Sequence, residues 1–280
     1  MRVLLIVPGD LANQLHTLPA AAAVAESLRA QLQVVCPPQV GAAWGLLPAV
    51  ERVIPFPFEA ATLADWANLL GSVREPDFQV CLNLAEGRQV DLMLSMSHIP
   101  TRLAAKGFSA TEAIPLPPPG SGWPALRLRP WLQRIGVNLE AESFRLSLTR
   151  ESLDRAIAAQ PPGDGPLLLL APSAAANDWP ADRWQALPGL IGGRIGGLRH
   201  QQALDHGSLQ ERAAQVASAD VVLSSSEPVC ELALMLGIPL VALGRSADSL
   251  PTRAGVEGIG AAADLASLTP ETVLQALGLG

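Results

Sequence analysis

Short apolar segments alternate with longer mixed segments along the first half of the chain. Strands are predicted where the sequence is almost continuously apolar, at 1–8, 32–36, 50–56, 78–84 and 101–105. Helices are predicted between them, at 18–29, 41–47, 60–73 and 90–97. A strand with few polar positions is typical of a parallel sheet covered on both faces. The alternation therefore predicts an α/β sheet with right-handed crossovers.

The same pattern restarts after an irregular middle region. Residues 114–124 (IPLPPPGSGWP) contain too many prolines for regular structure, and a helix at 126–135 and an extended piece at 144–148 follow. Further strands are predicted at 167–171, 220–224 and 239–243, and helices at 181–190, 209–218, 229–236 and 270–277. Between Leu190 and Leu209 glycine is frequent and the pattern does not place a full βα unit.

These two runs of elements predict two α/β domains that face each other across a central cleft. The N-terminal domain is expected at 1–155 and the C-terminal domain at 156–280, with a linker near 160–166 (QPPGDGP). Ligands of such domains bind at the carboxyl ends of the strands. The loops that follow the first strand of each domain are therefore the first places to look for a site.

Composition narrows the class of protein. The formal net charge is -7, which does not favour a nucleic-acid partner. No apolar run is long enough to cross a membrane, and we expect no signal peptide. Cys36, Cys81 and Cys230 are widely spaced, which is typical of buried thiols in a reducing cytosol rather than of disulfides or a metal site.

The first candidate site is the segment 8–17 (PGDLANQLHT), which lacks the G-x-G-x-x-G fingerprint of dinucleotide sites. Asp10 is its only carboxylate and could act as a general base. Alternatively, Asp10 or Asn13 caps the following helix. His16 is a candidate on the acceptor side, although a partly buried histidine with satisfied hydrogen bonds is more common there.

Two further candidates follow strands of the second half. In 172–180 (PSAAANDWP), small residues and free N–H groups could hold a phosphate, or form a simple loop with an aspartate cap. In 224–231 (SSSEPVCE), serine hydroxyls could bind phosphate or ribose and Glu231 could accept sugar hydroxyls; the alternative is an N-cap with Glu231 on a solvated face. Three arginines at 127, 129 and 134 form a solvated helix face or meet an anionic acceptor.

These segments resemble glycosyltransferase family 9, the ADP-heptose:lipopolysaccharide heptosyltransferases, over nearly the whole chain. The resemblance is carried by LHTLPA at 15–20, VERVIPF at 50–56, the W-P and R-W pairs at 179–184, and LGIPLVAL at 236–243. It implies a GT-B fold of two Rossmann-like domains, with the acceptor in the N-terminal half and a nucleotide sugar in the C-terminal half. It implies no metal and no cofactor.

The centres of the family motifs are substituted. The Gly-Asp pair falls on Ala12 and Asn13, and an amide cannot take the proton that the aspartate would take. The motif lysine falls on Asn177, and Pro228 replaces a glycine whose N–H would meet phosphate. The chain is also shorter than the family around 190–209, which implies a shortened C-terminal domain.

Three hypotheses follow from this resemblance. The first is a transferase that moves a heptose-like sugar from a donor such as ADP-heptose to a cell-envelope glycolipid or glycan, with Asp10 as the base. Its donor-side candidates are Ser173, Asn177, Ser225, Ser226, Glu227 and Glu231. The second is a catalytically inactive GT-B scaffold that binds a protein partner, and the third is an enzyme similar to nucleotide-sugar epimerases. We expect a cytoplasmic protein, with attachment to the inner membrane face left open.

Overall fold

The computed structural model describes residues 1–118, 120–204 and 206–279, and the chain forms two compact units. The first unit comprises Met1–Pro119 and Pro124–Phe144, and the second comprises Gly120–Trp123 and Arg145–Gly280. The change from one unit to the other at 144/145 precedes the predicted boundary at 155/156. The predicted linker at 160–166 lies inside the second unit, where Gln160 Nε2 donates to the Ser218 carbonyl oxygen at 2.9 Å.

The first unit contains a parallel sheet of six strands in the described part of the chain. The strands are β1 (Arg2–Ile6), β2 (Gln31–Cys36), β3 (Val50–Pro55), β4 (Val80–Asn83), β5 (Thr101–Ala104) and β6 (Glu112–Ala113), in the order β3-β2-β1-β4-β5-β6. The helices are α1 (Leu11–Leu28), α2 (Leu63–Arg74), α3 (Arg88–Ser95) and α4 (Arg129–Arg134). Residues Val3–Ile6 of β1 are fully buried because the strand has neighbours on both sides and is apolar on both faces.

The second unit contains a parallel sheet of five described strands. They are β7 (Leu167–Ala171), β8 (Arg199–Gln202), β9 (Val221–Ser224), β10 (Leu240–Leu243) and β11 (Val256–Ile259), in the order β11-β10-β9-β7-β8. The helices are α5 (Arg150–Ala158), α6 (Ala181–Gly192), α7 (Leu209–Ala217), α8 (Glu227–Leu236) and α9 (Pro270–Ala276).

Each sheet has one point at which the strand order reverses. In the first sheet, β1 has β2 on one side and β4 on the other, and in the second sheet β7 lies between β8 and β9. The loops that leave β1 and β4, or β7 and β9, therefore diverge and leave a crevice at the carboxyl ends of the strands. This predicts one crevice in each unit.

The two edge strands of the second sheet were not predicted from the sequence. No full βα unit could be placed between Leu190 and Leu209 from the sequence, and the structure has β8 there. Its sequence, RHQQ, is polar and half exposed at the sheet edge, so it has no apolar run. Strand β11 (VEGI) forms the opposite edge, and Glu257 and Gly258 interrupt its apolar residues.

Helix α1 begins at Leu11, seven positions before the predicted start at Leu18. The polar residues between them were interpreted as loop, whereas Asp10 caps the helix and Asn13 and His16 lie within it. Other differences are smaller. Residues 38–46 form a 3₁₀ helix, and Leu146, in the predicted extended segment, donates its N–H to the Met235 carbonyl oxygen at 3.0 Å.

The three cysteines are buried free thiols, as predicted. Burial raises the pKa of Cys36 to about 11 and that of Cys230 to about 12, and it raises the pKa of Cys81 further still. Among the described residues, no helix is both long enough and apolar enough to pass through a lipid bilayer.

Candidate functional site

A cavity of about 260 Å³ lies at the carboxyl ends of β1 and β4, and we call it the first-unit cavity. It occupies the crevice expected from the reversal of strand order. The loop after β1, the start of α1, the residue after β4 and the turn before α4 form its wall. The lining residues are Val7, Pro8, Gly9, Asn13, His16, Thr17, Leu84, Pro124, Arg127 and Leu128.

The start of α1 brings the two predicted catalytic positions into contact. Asp10 Oδ1 accepts hydrogen bonds from the backbone N–H of Asn13 at 3.0 Å and from Asn13 Nδ2 at 2.8 Å. The capping interpretation of Asp10 is therefore confirmed. The Oδ2 atom of this exposed side chain has no hydrogen-bond partner among the described residues. Capping thus occupies one carboxylate oxygen and leaves the other available.

Gly9 is required for this contact. Its φ angle is +95°, and a Cβ atom built at this position would lie 2.7 Å from Asn13 Nδ2. A side chain here would strain the turn and displace the amide that bonds to Asp10. The glycine therefore fixes the geometry of the Asp10–Asn13 pair.

Gln14 holds one wall of the first-unit cavity and was not singled out from the sequence. Its side chain is fully buried; Nε2 donates to the Val7 carbonyl oxygen at 3.1 Å, and Oε1 accepts from Trp44 Nε1 at 2.9 Å. These bonds tie α1 to the end of β1. A polar residue between apolar neighbours of a helix, such as Ala12 and Leu15, is the signal that could have identified it.

His16 and Arg127 are the basic side chains of the first-unit cavity, and no carboxylate is among its described lining residues. The side chain of His16 is half-buried in the cavity wall, and its role on the acceptor side stays a prediction. Arg127 precedes α4, so the prediction of one helix carrying all three arginines was wrong. Arg134 faces Glu112 in an exposed two-bond ion pair at 2.9 and 3.0 Å. Partial burial lowers the pKa of Arg127.

A second cavity, of about 200 Å³, lies at the carboxyl ends of β7, β9 and β10, and we call it the second-unit cavity. It occupies the corresponding crevice of the second sheet. The lining residues are Ser173, Ala175, Asn177, Asp178, Ser225, Glu227, Cys230, Leu243, Gly244, Arg245, Ala262 and Leu265. Four of the six predicted donor-side residues are among them.

The loop after β7 uses its polar groups internally. The backbone N–H of Ser173 donates to Asp178 Oδ2 and to Ser225 Oγ, both at 2.8 Å. Asn177 Nδ2 donates to the Ala262 carbonyl oxygen at 2.7 Å. The amide that replaces the motif lysine thus has a structural partner, and the N–H group of Ser173 is already bonded.

The start of α8 is similarly short of free donors. The N–H of Ser225 donates to the Ala171 carbonyl oxygen at 3.1 Å, and that of Ser226 to Ser224 Oγ at 3.0 Å. Pro228, in the first turn of α8, has no N–H group. Ser226 is the N-cap residue and is not among the lining residues, whereas the Glu227 side chain reaches the cavity.

The position of Glu231 was anticipated by neither interpretation made from the sequence, a group in contact with sugar hydroxyls or a residue on a solvated helix face. It is fully buried, so it does not lie on a solvated face, and it is not among the residues that line the cavity. Its Oε2 accepts from Trp123 Nε1 at 3.0 Å and its Oε1 from Arg245 Nη1 at 3.2 Å. Glu231 is thus a buried link between Trp123 and Arg245, and its contact with donor hydroxyls stays a prediction.

Arg245 is the cation of the second-unit cavity and was missed by sequence reasoning. Its side chain is 15% exposed; Nη2 donates to the Ser249 carbonyl oxygen at 2.8 Å, and Nη1 lies 3.8 Å from Glu227 Oε1. Its partners lie on α8 and in the loop after β10, and no local spacing in the sequence signals their contact.

Comparison with solved structures identifies the fold. A glycosyl transferase of family 9 from Veillonella parvula DSM 2008 has a TM-score of 0.79 at 13% identity, covering 99% of this chain and 96% of that chain. The protein described here thus has the fold of the family 9 glycosyltransferases. The resemblance inferred from the motifs is thus confirmed at the level of the GT-B fold, with its two Rossmann-like sheets.

Two Escherichia coli structures support the same conclusion. The heptosyltransferase WaaC with ADP-2-deoxy-2-fluoro heptose has a TM-score of 0.74 at 16% identity, covering 99% of each chain. ADP-heptose lps heptosyltransferase II has a TM-score of 0.73 at 16% identity, covering 99% of this chain and 98% of that chain. No family model and no curated protein matches this chain by sequence. The likeness to these structures therefore lies in the fold.

Proposed function

We propose that this protein transfers a sugar from a nucleotide diphosphate sugar to a hydroxyl group of a cell-envelope glycolipid or glycan. The observation that carries the proposal is the carboxylate of Asp10 beside the first-unit cavity. Its Oδ1 is held by Asn13, and its Oδ2 has no partner among the described residues. The heptosyltransferases of the same fold, one of them crystallised with an ADP-heptose analogue, favour an ADP-linked, heptose-like donor.

The proposed reaction is a direct displacement with inversion. Asp10 Oδ2 accepts the proton of the acceptor hydroxyl as its oxygen bonds to the anomeric carbon of the sugar. The bond from that carbon to the nucleotide diphosphate breaks, and the diphosphate leaves with the electron pair. Asn13 acts as a positioning residue because its amide fixes Asp10. Arg245 is the cation proposed to face the leaving diphosphate.

Substitutions that keep the helix cap isolate the role of Asp10. Serine and asparagine are both good N-cap residues but cannot accept the hydroxyl proton. We therefore expect Asp10→Ser and Asp10→Asn to fold as the wild type and to lose transfer by about a hundredfold or more. The assay would follow ADP release from ADP-heptose with glycolipid extracted from the native cells as acceptor. Unchanged turnover in either variant would remove Asp10 from the mechanism.

A specific observation also favours the inactive scaffold as a second candidate. The second-unit cavity carries the carboxylates of Asp178 and Glu227, and its cation, Arg245, is already bonded to buried Glu231. A diphosphate would meet few free donors there. Calorimetry with ADP and ADP-heptose separates the candidates: binding supports the transferase, whereas no heat at millimolar ligand, together with recovery of a stoichiometric protein partner, supports the scaffold.

A further inference from the structure

A further cavity, of about 180 Å³, lies in the second unit beside the edge strand β8, and we call it the edge cavity. Helices α5 and α7 pack against each other there and form two of its walls. None of its described lining residues lines the second-unit cavity, so it is separate from the crevice at the carboxyl ends of β7, β9 and β10. The proposed transfer reaction does not use it.

Most polar groups in the wall of the edge cavity already have partners. Gln215 Nε2 donates to the Gln202 carbonyl oxygen at 2.9 Å, and Gln215 Oε1 accepts from the Leu204 N–H at 2.9 Å. The hydroxyl groups of Ser152 and Thr149 share a hydrogen bond at 2.7 Å. Apolar side chains supply much of the remaining wall, from Ala156, Ala159 and Leu204. The interior therefore favours the apolar part of a ligand.

The charged residues of the edge cavity are also bonded. Arg155 Nη2 donates to Glu151 Oε1 at 3.2 Å, and Arg155 Nη1 lies 3.9 Å from Glu211 Oε1. Glu211 Oε2 accepts from the Ser208 N–H at 2.8 Å. The side chains of Arg155 and Glu211 are 61% and 50% exposed, so water screens both charges. A charged ligand would gain little from them, which favours an uncharged one.

One polar atom of the wall lacks a partner. Gln201 Oε1 is buried and has no hydrogen-bond partner among the described residues. Gln33 and Trp184 also carry a buried polar atom without a partner, but neither lines the edge cavity. A buried acceptor without a donor is costly to the fold. The terminal torsion of a glutamine side chain has a broad energy minimum, so this amide can turn toward a donor placed in the cavity.

We propose that the edge cavity binds a small uncharged molecule with an apolar body and one N–H or O–H donor, and that Gln201 Oε1 accepts the hydrogen bond of that donor. A cavity of roughly 150 Å³ holds benzene. The edge cavity, at about 180 Å³, therefore suits a ligand of one or two fused rings. The proposal does not depend on the proposed function, because no residue of the transfer reaction lines this cavity.

The test uses indole and benzofuran, two probes of nearly the same shape of which only indole has an N–H donor. Ligand-observed NMR titrations of the full chain give both dissociation constants. We expect indole to bind at millimolar concentration, and about fivefold or more tightly than benzofuran, since this is the value of one hydrogen bond to a buried acceptor.

Matched variants assign the binding to the edge cavity. Gln201→Met keeps the length of the side chain but removes the acceptor, so it should lower the affinity for indole to that for benzofuran. Ala159→Leu fills the cavity and should abolish binding of both probes. Ala158→Leu is the control, because Ala158 is adjacent, exposed and not among the lining residues. Circular dichroism of each variant checks the fold.

Several outcomes would overturn the proposal. They are no binding of indole at millimolar concentration, equal affinity for the two probes, unchanged indole binding in Gln201→Met, and an equal loss in Ala158→Leu. Sedimentation equilibrium tests another occupant of the cavity. A dimer that Ala159→Leu dissociates would assign the edge cavity to a second copy of the chain and contradict a small-molecule site.

Discussion

The first-unit and second-unit cavities occupy equivalent points of their sheets but differ in how their charged groups are bonded. In the first, Arg127 and one oxygen of Asp10 lack partners among the described residues. In the second, Arg245 is bonded to Glu231 and Ser249, and the N–H of Ser173 is shared between two acceptors. Arg245 and the N–H of Ser173 at the second cavity thus have internal partners, whereas the guanidinium of Arg127 at the first has none among the described residues. Asp178 Oδ1, which is buried at the second cavity, also lacks a hydrogen-bond partner among them.

This difference in bonding affects the free energy of ligand binding at the two cavities. A ligand of the first-unit cavity gains hydrogen bonds that the protein lacks, whereas a ligand of the second-unit cavity must compete with bonds already made. The Arg245 guanidinium already donates to Glu231 and Ser249, so a diphosphate donor would share it with a buried carboxylate.

The largest expected effect comes from breaking the buried pair of the second unit. Glu231→Gln keeps the side-chain shape but leaves Arg245 without its main counter-charge, and we expect it to lower the free energy of unfolding by about 3 kcal/mol. Urea denaturation measures this. Glu227→Gln is the control, since its half-exposed carboxylate 3.8 Å from Arg245 should contribute only about 0.5 kcal/mol. Similar losses of stability in the two variants would mean that the buried Glu231–Arg245 pair stabilises the fold no more than the half-exposed Glu227–Arg245 pair does.

The second largest effect on stability is expected at Gln14, whose hydrogen bonds hold a wall of the first-unit cavity. Gln14→Met leaves the Trp44 indole N–H and the Val7 carbonyl oxygen without their buried partner. We expect a loss of about 2 kcal/mol in thermal or urea unfolding. Gln133→Met, at an exposed position on α4, should change stability little. If both variants are as stable as the wild type, the Gln14 bonds do not hold the cavity wall.

A lysine at position 177, where the family motif has one, should give the second-unit cavity a free cation, as Arg127 does in the first-unit cavity. Asn177→Lys places a free ammonium group in the lining, and we expect it to tighten ADP binding about tenfold in calorimetry. Ala176→Lys adds the same charge one residue away, outside the wall. Equal tightening in both variants would show that net charge alone controls the affinity.

The smallest effect is expected from Arg127, whose guanidinium has no partner among the described residues. Arg127→Met removes a partly desolvated charge, and we expect stability to be unchanged or to rise by about 0.5 kcal/mol. Arg134→Met removes the partner of Glu112 and should shift the thermal midpoint slightly downward. A clear loss of stability in Arg127→Met would show that the guanidinium already has a structural role.

Much of the fold could be predicted from the sequence because the central strands are continuously apolar. Strands β1 and β7 are buried on both faces, so their patterns are unambiguous. Strands β8 and β11 were missed because an edge strand needs no apolar run. The start of α1 was misplaced because Asp10 and Asn13 are equally compatible with a loop and with a helix cap.

The candidate sites were predictable in position but not in bonding. The strand-to-helix segments correctly indicated where both cavities lie, since this follows from topology. The burial of Glu231 and its pairing with Arg245 depend on contacts between distant parts of the chain. The same is true of Arg127, whose availability is visible only once every neighbouring carboxylate has been located.

The hydrogen bond from Trp123 to Glu231 bears on how the protein can be divided experimentally. Residues 120–123 belong to the second unit although residues on both sides of them belong to the first, so the polypeptide crosses over more than once. A fragment that begins at Arg145 would lack the indole and leave a buried acid short of a donor. We therefore expect the C-terminal half, expressed alone, to be less stable than the same unit in the full chain. Limited proteolysis at a single site should not release two intact units.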